Sequence, residues 1–375
     1  MATISMGGIF ALLGELRDEL GFTETELGLM VAAGFFAGFV AQVGLARFSD
    51  RGHSNTMIRL GLALLVASQL VMGFASSLWA FIAARVVLGV ATGVFLPAIR
   101  RLVIVSDRKN MGANVGMLSA FDVGGFVAGP VVAGLVAHFF GLRAPFFVLA
   151  VAIAAFAPLA VRLPPDPGVT TTERQVVRVL LRIRAVQVVL LAVVGWFVMI
   201  GTFESIWAVL LADLGAEVWF TGVSAGIITL PMLFLAAFSG RFAQRVGPLK
   251  VSLVGVLWIA PCVAAYGYIN SLSVIVVVAV IHGLSDAFVF PANQVGIALA
   301  AGDDLAASAQ GLMGATLQLV GGMVALVAGG VYEQWGREVV FLANAGIIVV
   351  FAGIAAWMAR PLAAEKHSVV VGAQA

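Results

Sequence analysis

Charge is scarce in this sequence. Asp, Glu, Lys and Arg make up 11% of its 375 residues, whereas soluble domains run near a quarter. So few polar groups cannot cover a soluble body whose residues are 62% hydrophobic, and a mean hydropathy of +1.09 points the same way. Most of the surface must face lipid or other apolar helices. Cysteine is reduced to Cys262, which excludes a disulfide framework and a cysteine-ligated metal. The four histidines, His53, His138, His282 and His367, are scattered without metal-ligand spacing. No dense Lys/Arg run suggests nucleic acid, and the net charge is +2. No glycine-rich phosphate loop follows a strand pattern, and no nucleophile–base set stands out. We therefore expect no metal, no cofactor, no enzymatic chemistry and no nucleic-acid partner.

What is present is a series of apolar runs, each of roughly 20 residues, the length that crosses a bilayer. They cover residues 27–48, 57–74, 78–99, 113–139, 144–161, 186–211, 220–243, 251–269, 274–299, 305–331 and 339–358. A shorter run, 2–13, precedes them. The expected fold class is an all-α membrane protein with twelve transmembrane helices. Continuous hydrophobicity with Gly, Ala and Pro scattered inside favours helices over barrel strands, which would alternate. The run 2–13 reaches only about 18 Å at ~1.5 Å per residue, short of a core of about 30 Å. The first helix is therefore expected to be truncated, with Met1 placed after the natural start.

With the N-terminus cytoplasmic, nearly all Lys and Arg fall on one side. Arg17, Arg143 and Arg337 lie opposite, and Arg85 sits inside a helix. The expected organisation is a bundle over 1–163, a cytoplasmic linker over 164–184, a second bundle over 185–360, and a cytoplasmic tail over 361–375 without fixed structure. The linker opens with Pro164, Pro165 and Pro167 and continues with spaced arginines, a basic amphipathic stretch suited to the membrane surface.

The two halves repeat. A shift of 194 residues superimposes Leu20-Gly21 on Leu214-Gly215, Gly28 on Gly222, Arg51 on Arg245, Gly89 on Gly283 and Pro97 on Pro291. One residue more pairs Gly116 with Gly311 and Gly141 with Gly336. Six helices per half is an even number, so both halves enter from the same side, as parallel repeats.

Short motifs sit at matching places. After the second helix comes Ala46-Arg47-Phe48-Ser49-Asp50-Arg51-Gly52-His53, and after the eighth Gly240-Arg241-Phe242-Ala243-Gln244-Arg245-Val246-Gly247. The fourth helix carries Arg85-x3-Gly89, and the fifth carries Gly116, Gly125, Gly129, Pro130 and Gly134. Glycines at four-residue spacing let helices approach, and Pro130 bends its helix. The loop motif, with the doubled six-helix pattern, resembles the major facilitator superfamily, and the fifth-helix glycines resemble its drug:proton antiporter branch. The first loop departs from the family pattern at Ala46, His53, Ser54 and Asn55, which weakens any latch it carries. The loop candidates are Asp50, Arg51, Gly240, Gln244, Arg245 and Gly247; the packing candidates are Gly89, Gly116, Gly125, Gly129, Pro130 and Gly134.

Ionisable residues inside membrane spans are expensive, at about +2.5 to +3.5 kcal/mol near a helix centre, and are functional candidates for that reason. Here they are Arg85, Asp122, Glu204, His282 and Asp286. His282 and Asp286 are four apart on one helical face, continued by Asn293. The resemblance implies that Arg85, Glu204, His282 and Asp286 share one water-filled cavity. A carboxylate there would bind and release protons, with Arg85 as the tuning cation. Phe203, Trp207, Phe288 and Phe290 are as readily lipid- or neighbour-facing as substrate-facing. The resulting expectation is a secondary transporter working by alternating access in a bacterial inner membrane. It would carry out proton-coupled efflux of a small amphipathic compound, with no obligatory protein partner. An importer or uniporter of a metabolite, and a non-transporting sensor or scaffold, are the alternatives.

Overall fold

A bilayer offers no water to unpaired backbone groups, so a spanning chain must satisfy them internally. The computed structural model, which describes residues 2–48, 52–106, 111–163, 176–302 and 305–372, meets this with helices throughout. In order they are α1 (Ala2–Gly8), a 3-10 turn (Ile9–Leu12), α2 (Leu13–Leu20), α3 (Glu24–Phe48), α4 (Ser54–Phe74), α5 (Leu78–Ser106), α6 (Met111–Phe140), and α7 (Ala144–Phe156) with a 3-10 extension (Ala157–Arg162). The second half holds α8 (Val176–Leu180), α9 (Arg184–Asp213), α10 (Val218–Val246), α11 (Pro248–Tyr266), α12 (Leu272–Ala301) and α13 (Ala306–Gly372).

Nine stretches among the described residues are long and apolar enough to cross a membrane. One of them, Ser308–Pro361, is broken at Gly336 (φ 77°, ψ 175°) and makes two passes. The first helix, α1 through α2, and α7 with its extension complete twelve transmembrane helices in two six-helix halves. The first helix is longer than its apolar run. Glu15, Arg17, Asp18 and Glu19 continue it to Leu20, because Arg17 finds acidic partners at the helix end. The last helix likewise continues past Pro361 to Gly372, where the tail was expected to lack structure; Ala363, Ala364, Glu365 and Lys366 are strong helix formers. The expected linker lies outside the described residues over 164–175.

The repeat read from the sequence recurs in the backbone. Six of the seven left-handed glycines among the described residues come in pairs: Gly21 (φ 72°) with Gly215 (84°), Gly52 (86°) with Gly247 (108°), and Gly141 (86°) with Gly336 (77°). Each ends or starts a helix where a side chain would be strained. The contacts between halves repeat as well. A Cβ on Gly28 would strike the Ala325 carbonyl and lie 3.4 Å from the Gly329 Cα; a Cβ on Gly222 would strike the Pro130 carbonyl and lie 3.1 Å from the Gly134 Cα. The α3–α13 seam and the α6–α10 seam are thus two copies of one contact, related by the repeat shift.

The α3–α13 seam is tied by polar contacts at one end. There Arg17 pairs with Asp213 (2.6 Å) and Glu24 (3.2 Å), and Tyr332 donates to Asp213 at 2.6 Å. Thr25 donates to Glu333 from its hydroxyl (2.5 Å) and its amide (3.1 Å). Farther along, Gly38 and Gly314 meet the amides of Gln318 and Gln42, each at 3.2 Å from a built Cβ, and beyond them Gly44, Gly124 and Gly311 meet nothing within 4 Å. Met117 and Phe121 on α6, and Phe234 and Phe238 on α10, are exposed.

Substituting Gly329 by Ala tests the seam, because its Cβ would run into the Glu24 carbonyl. Overpacking of this kind costs about 1–3 kcal/mol. We expect spin labels at Glu19 and Glu338, in a Cys262→Ser background, to report a longer and broader distance than in the glycine-containing chain. An unchanged distribution would show that the seam does not set closure.

Candidate functional site

The buried charges occupy two separate groups. The first straddles the halves. Arg85 on α5 is 4% exposed, and its Nε has no hydrogen-bond partner. Its guanidinium lies against Gly34, where a Cβ would come 3.1 Å from Nε, and its Cζ sits 6.0 Å from the centre of the Phe10 ring. Glycine at 34 is therefore what leaves room for the cation. Glu204 on α9 is 6% exposed, and its Oε2 is unpartnered. Arg85 and Glu204 act on each other electrostatically, yet no N···O distance between them falls within 4.0 Å. A small cleft of about 10 Å³, room for one water, adjoins Arg85, lined by Met6, Gly34, Phe35, Thr92 and Gln318 among others. Gln318 comes from the opposite half and has an unpartnered Oε1.

The second group lies inside the second half. His282 Nε2 is 3.4 Å from Asp286 Oδ2, and Tyr266 on α11 bonds His282 Nδ1 at 3.0 Å. Trp196 on α9 donates its indole N–H to Asp286 Oδ1 at 2.7 Å. Tyr266 with His282 and Trp196 with Asp286 thus form two hydrogen-bonded pairs, which meet where His282 Nε2, without a hydrogen-bond partner of its own, approaches Asp286. Asn293, on the same face of α12, accepts from Ser252 at 2.6 Å.

The single chamber expected for Arg85, Glu204, His282 and Asp286 is therefore divided. The reason is helical geometry. Trp196 and Phe203 are seven apart on one face of α9 and meet α11 and α12; Phe203 lies 6.0 Å from Tyr266 and 6.1 Å from His282, centre to centre. Phe197 and Glu204, each one residue on, are turned by about 100° and face the first half, where Phe197 meets Phe35 at 6.4 Å. The stacked Phe203–Trp207 pair (3.9 Å) adds an aromatic wall beside them.

Asp122 belongs to neither group. It pairs with Arg100 at 3.5 Å, partly exposed. Phe288 packs on Phe238 and Phe242 of α10, while Phe290 packs on Trp196.

Of the loop motif, Asp50 and Arg51 lie outside the described residues. Gln244 and Arg245 are exposed at the end of α10, Gly247 turns the chain into α11, and Gly240 faces Pro291. Four of the packing candidates lie against neighbouring helices. Gly89 abuts the Gly34 carbonyl, Gly125 abuts Thr3, Gly129 would place a Cβ 2.6 Å from the Ile4 carbonyl, and Gly134 one 2.8 Å from that of Val218. Gly116 and Pro130 lie within α6.

A sequence profile of the Major Facilitator Superfamily matches residues 1–234 and again 205–374. The chain belongs to the major facilitator superfamily. Among its relatives is the multidrug resistance protein MdtG of Salmonella typhimurium, 24% identical over 342 residues, covering 88% of this chain and 84% of the relative. MdtG of Dickeya zeae is 26% identical over 282 residues, 71% and 68% of the two chains. The fold is shared with the nucleoside transporter NupG (TM-score 0.77, 14% identity, 95% and 96% coverage). It is shared as well with a bacterial homolog of the human lysosomal transporter Spinster, solved inward-facing and unoccupied (TM-score 0.79, 16% identity, 96% and 94% coverage). Facilitator architecture thus accounts for both seams.

Sequence reasoning missed Trp196, Tyr266 and Gln318. Gln318 carried a signal, an amide inside the apolar run Leu317-Gln318-Leu319-Val320. So did Gln69, both of whose amide atoms are buried without partners. Trp196 and Tyr266 carried none, since aromatics are common in membrane helices.

Replacing Trp196 by Phe removes the only indole donor on Asp286 Oδ1 and keeps an aromatic ring. An unpartnered buried acceptor costs about 1–3 kcal/mol. We expect a lower thermal unfolding midpoint in detergent, with Trp219→Phe, at an exposed site, leaving it unchanged.

Proposed function

We propose that this chain is a proton-coupled exporter of a small amphipathic organic compound. It would reside in a bacterial cytoplasmic membrane with both termini inside. The observation that carries this reading is the pair Arg85 and Glu204, two buried opposite charges held on different bundles without direct contact. A buried ion without a partner costs several kcal/mol, so the pair gains most when the bundles move or when a ligand or proton arrives. On the positive-inside reading, the Arg17–Asp213 end faces outward. Rocking of the bundles would break that latch and remake contacts at the other end. The latch is partly exposed, and such pairs contribute about 0–1 kcal/mol each, small enough for a bound ligand to overcome.

In this scheme a proton on Glu204 removes one charge of the pair. Substrate and proton then compete for the same carboxylate, which is the condition for exchange. The His282–Asp286 pair is the second candidate carrier, and Asp122, paired with Arg100, is expected to be dispensable. The likeness to the two MdtG proteins supports export. The transporter would need no cofactor beyond the proton gradient, no protein partner and no covalent chemistry.

Proteoliposomes with an imposed pH gradient provide the test. Glu204→Gln is expected to abolish proton-driven flux, Asp286→Asn to reduce it, and Asp122→Asn to leave it within about twofold, a modest change beside the 10²–10⁴-fold typical of lost proton-transfer groups. Undiminished coupling in both Glu204→Gln and Asp286→Asn would overturn the proposal.

A further inference from the structure

Two polar side chains from opposite halves line one small cleft: Arg85 on α5 and Gln318 on α13. Arg85 is 4% exposed, and its Nε has no hydrogen-bond partner. Gln318 contributes a buried Oε1 that is likewise unpartnered. The helix α3 sets how they stand. Arg85 lies on Gly34, its Nε 3.1 Å from a built Cβ, and Gln318 lies on Gly38, its amide nitrogen 3.2 Å from one. Gly34 and Gly38 are one helical turn apart, about 5.4 Å along the axis. A single hydrogen bond of about 2.9 Å does not cover that step, whereas two in series do.

The chemistry of the cleft selects its occupant. A free volume of about 10 Å³ admits one water and nothing larger. Arg85 Nε–H is a donor and Gln318 Oε1 an acceptor, so whatever joins them must both accept and donate. A halide only accepts, and it would lie against the amide oxygen of Gln318. A metal cation would lie against the guanidinium. Water meets both demands. Thr92, 2% exposed, supplies a third partner, because its hydroxyl donates to the Gly89 carbonyl at 3.0 Å and keeps lone pairs on its oxygen. About three polar partners is usual for a buried water. Met6, Phe35 and Leu88 form the apolar wall that confines it. Gln42 stands at Gly314, one turn beyond Gly38 on α3, and Gly44 and Gly311 farther on are open, so amides line a way in.

We propose that one ordered water occupies this cleft, accepting from Arg85 Nε and donating to Gln318 Oε1 and Thr92 Oγ1, and that it links the buried cation to the second half. A bridging water is enthalpically nearly as good as a direct hydrogen bond. Such a link serves either direction of transport and does not depend on export.

A structure of the full chain in lipid, at a resolution that shows ordered water, tests this directly. One peak within hydrogen-bond distance of Arg85 Nε, Gln318 Oε1 and Thr92 Oγ1 is expected. An empty cleft, a direct Arg85–Gln318 bond, or bromide at that position, located by its anomalous scattering in crystals grown with bromide, overturns the proposal. Thermal unfolding in detergent gives a second reading. Gln318→Met keeps a similar volume and removes the acceptor, and it is expected to lower the midpoint. In an Arg85→Met background, where the water has lost its donor, the same substitution should shift the midpoint by about half as much or less, because residues sharing a partner are not additive. Should Arg85→Met fail to fold, Thr92→Val, which removes the third partner, takes its place in the cycle. Equal shifts from Gln318→Met in both backgrounds would show that no bridge joins the two residues and would sink the idea.

Discussion

Close backbone contact at glycine is the constraint on which this molecule depends. Between helices in lipid there is little hydrophobic force, because lipid tails are as apolar as leucine, so association comes from packing and hydrogen bonds. Gly28 against Ala325 and Gly329, and Gly222 against Pro130 and Gly134, bring two backbone pairs together where any side chain would hold them apart. These contacts lie towards one end of each seam. The α3–α13 seam runs on from there through Phe35 against Gly321, Gly38 against Gln318 and Gln42 against Gly314.

The polar latch at one end fits the same logic. Arg17, Glu24, Asp213, Tyr332, Thr25 and Glu333 come from both halves and are tied by hydrogen bonds of 2.5–3.2 Å. Their individual strength is small because water reaches several of them. Their number fixes register without making closure irreversible. The glycine contacts beneath supply shape; the polar contacts supply ties between the halves.

Two kinds of buried polarity serve different ends. Within one half Tyr266 bonds His282 and Trp196 bonds Asp286, leaving His282 Nε2 unpartnered, and such bonds rigidify the elements they join. Arg85, Glu204 and Gln318 are left unsatisfied where the halves meet. Unpaired groups there cost stability, and they make the seam sensitive to whatever enters it. The repeat shows how specialised this has become. The residues 194 positions from Glu204, His282 and Asp286 are Phe10, Leu88 and Thr92, so the two halves share a scaffold and not a charge pattern.

The sequence by itself determined the membrane habitat, twelve helices, the two parallel halves and the glycines that would pack. Each of these follows from local composition or from a fixed spacing: length of apolar run, a repeat of 194 residues, glycine every fourth position. The charged residues of the site were legible too, because a charge among apolar neighbours is conspicuous wherever it falls. Their grouping was not. Whether Glu204 joins Arg85 or Asp286 turns on a rotation of about 100° between consecutive residues of α9, and on which neighbouring helix stands on each side. The extension of the first helix to Leu20 likewise required Asp213 from the other half. Trp196 and Tyr266 acquired their roles only when α9 and α11 were set against α12. Such pairings join residues far apart in the chain, and only tertiary packing decides them.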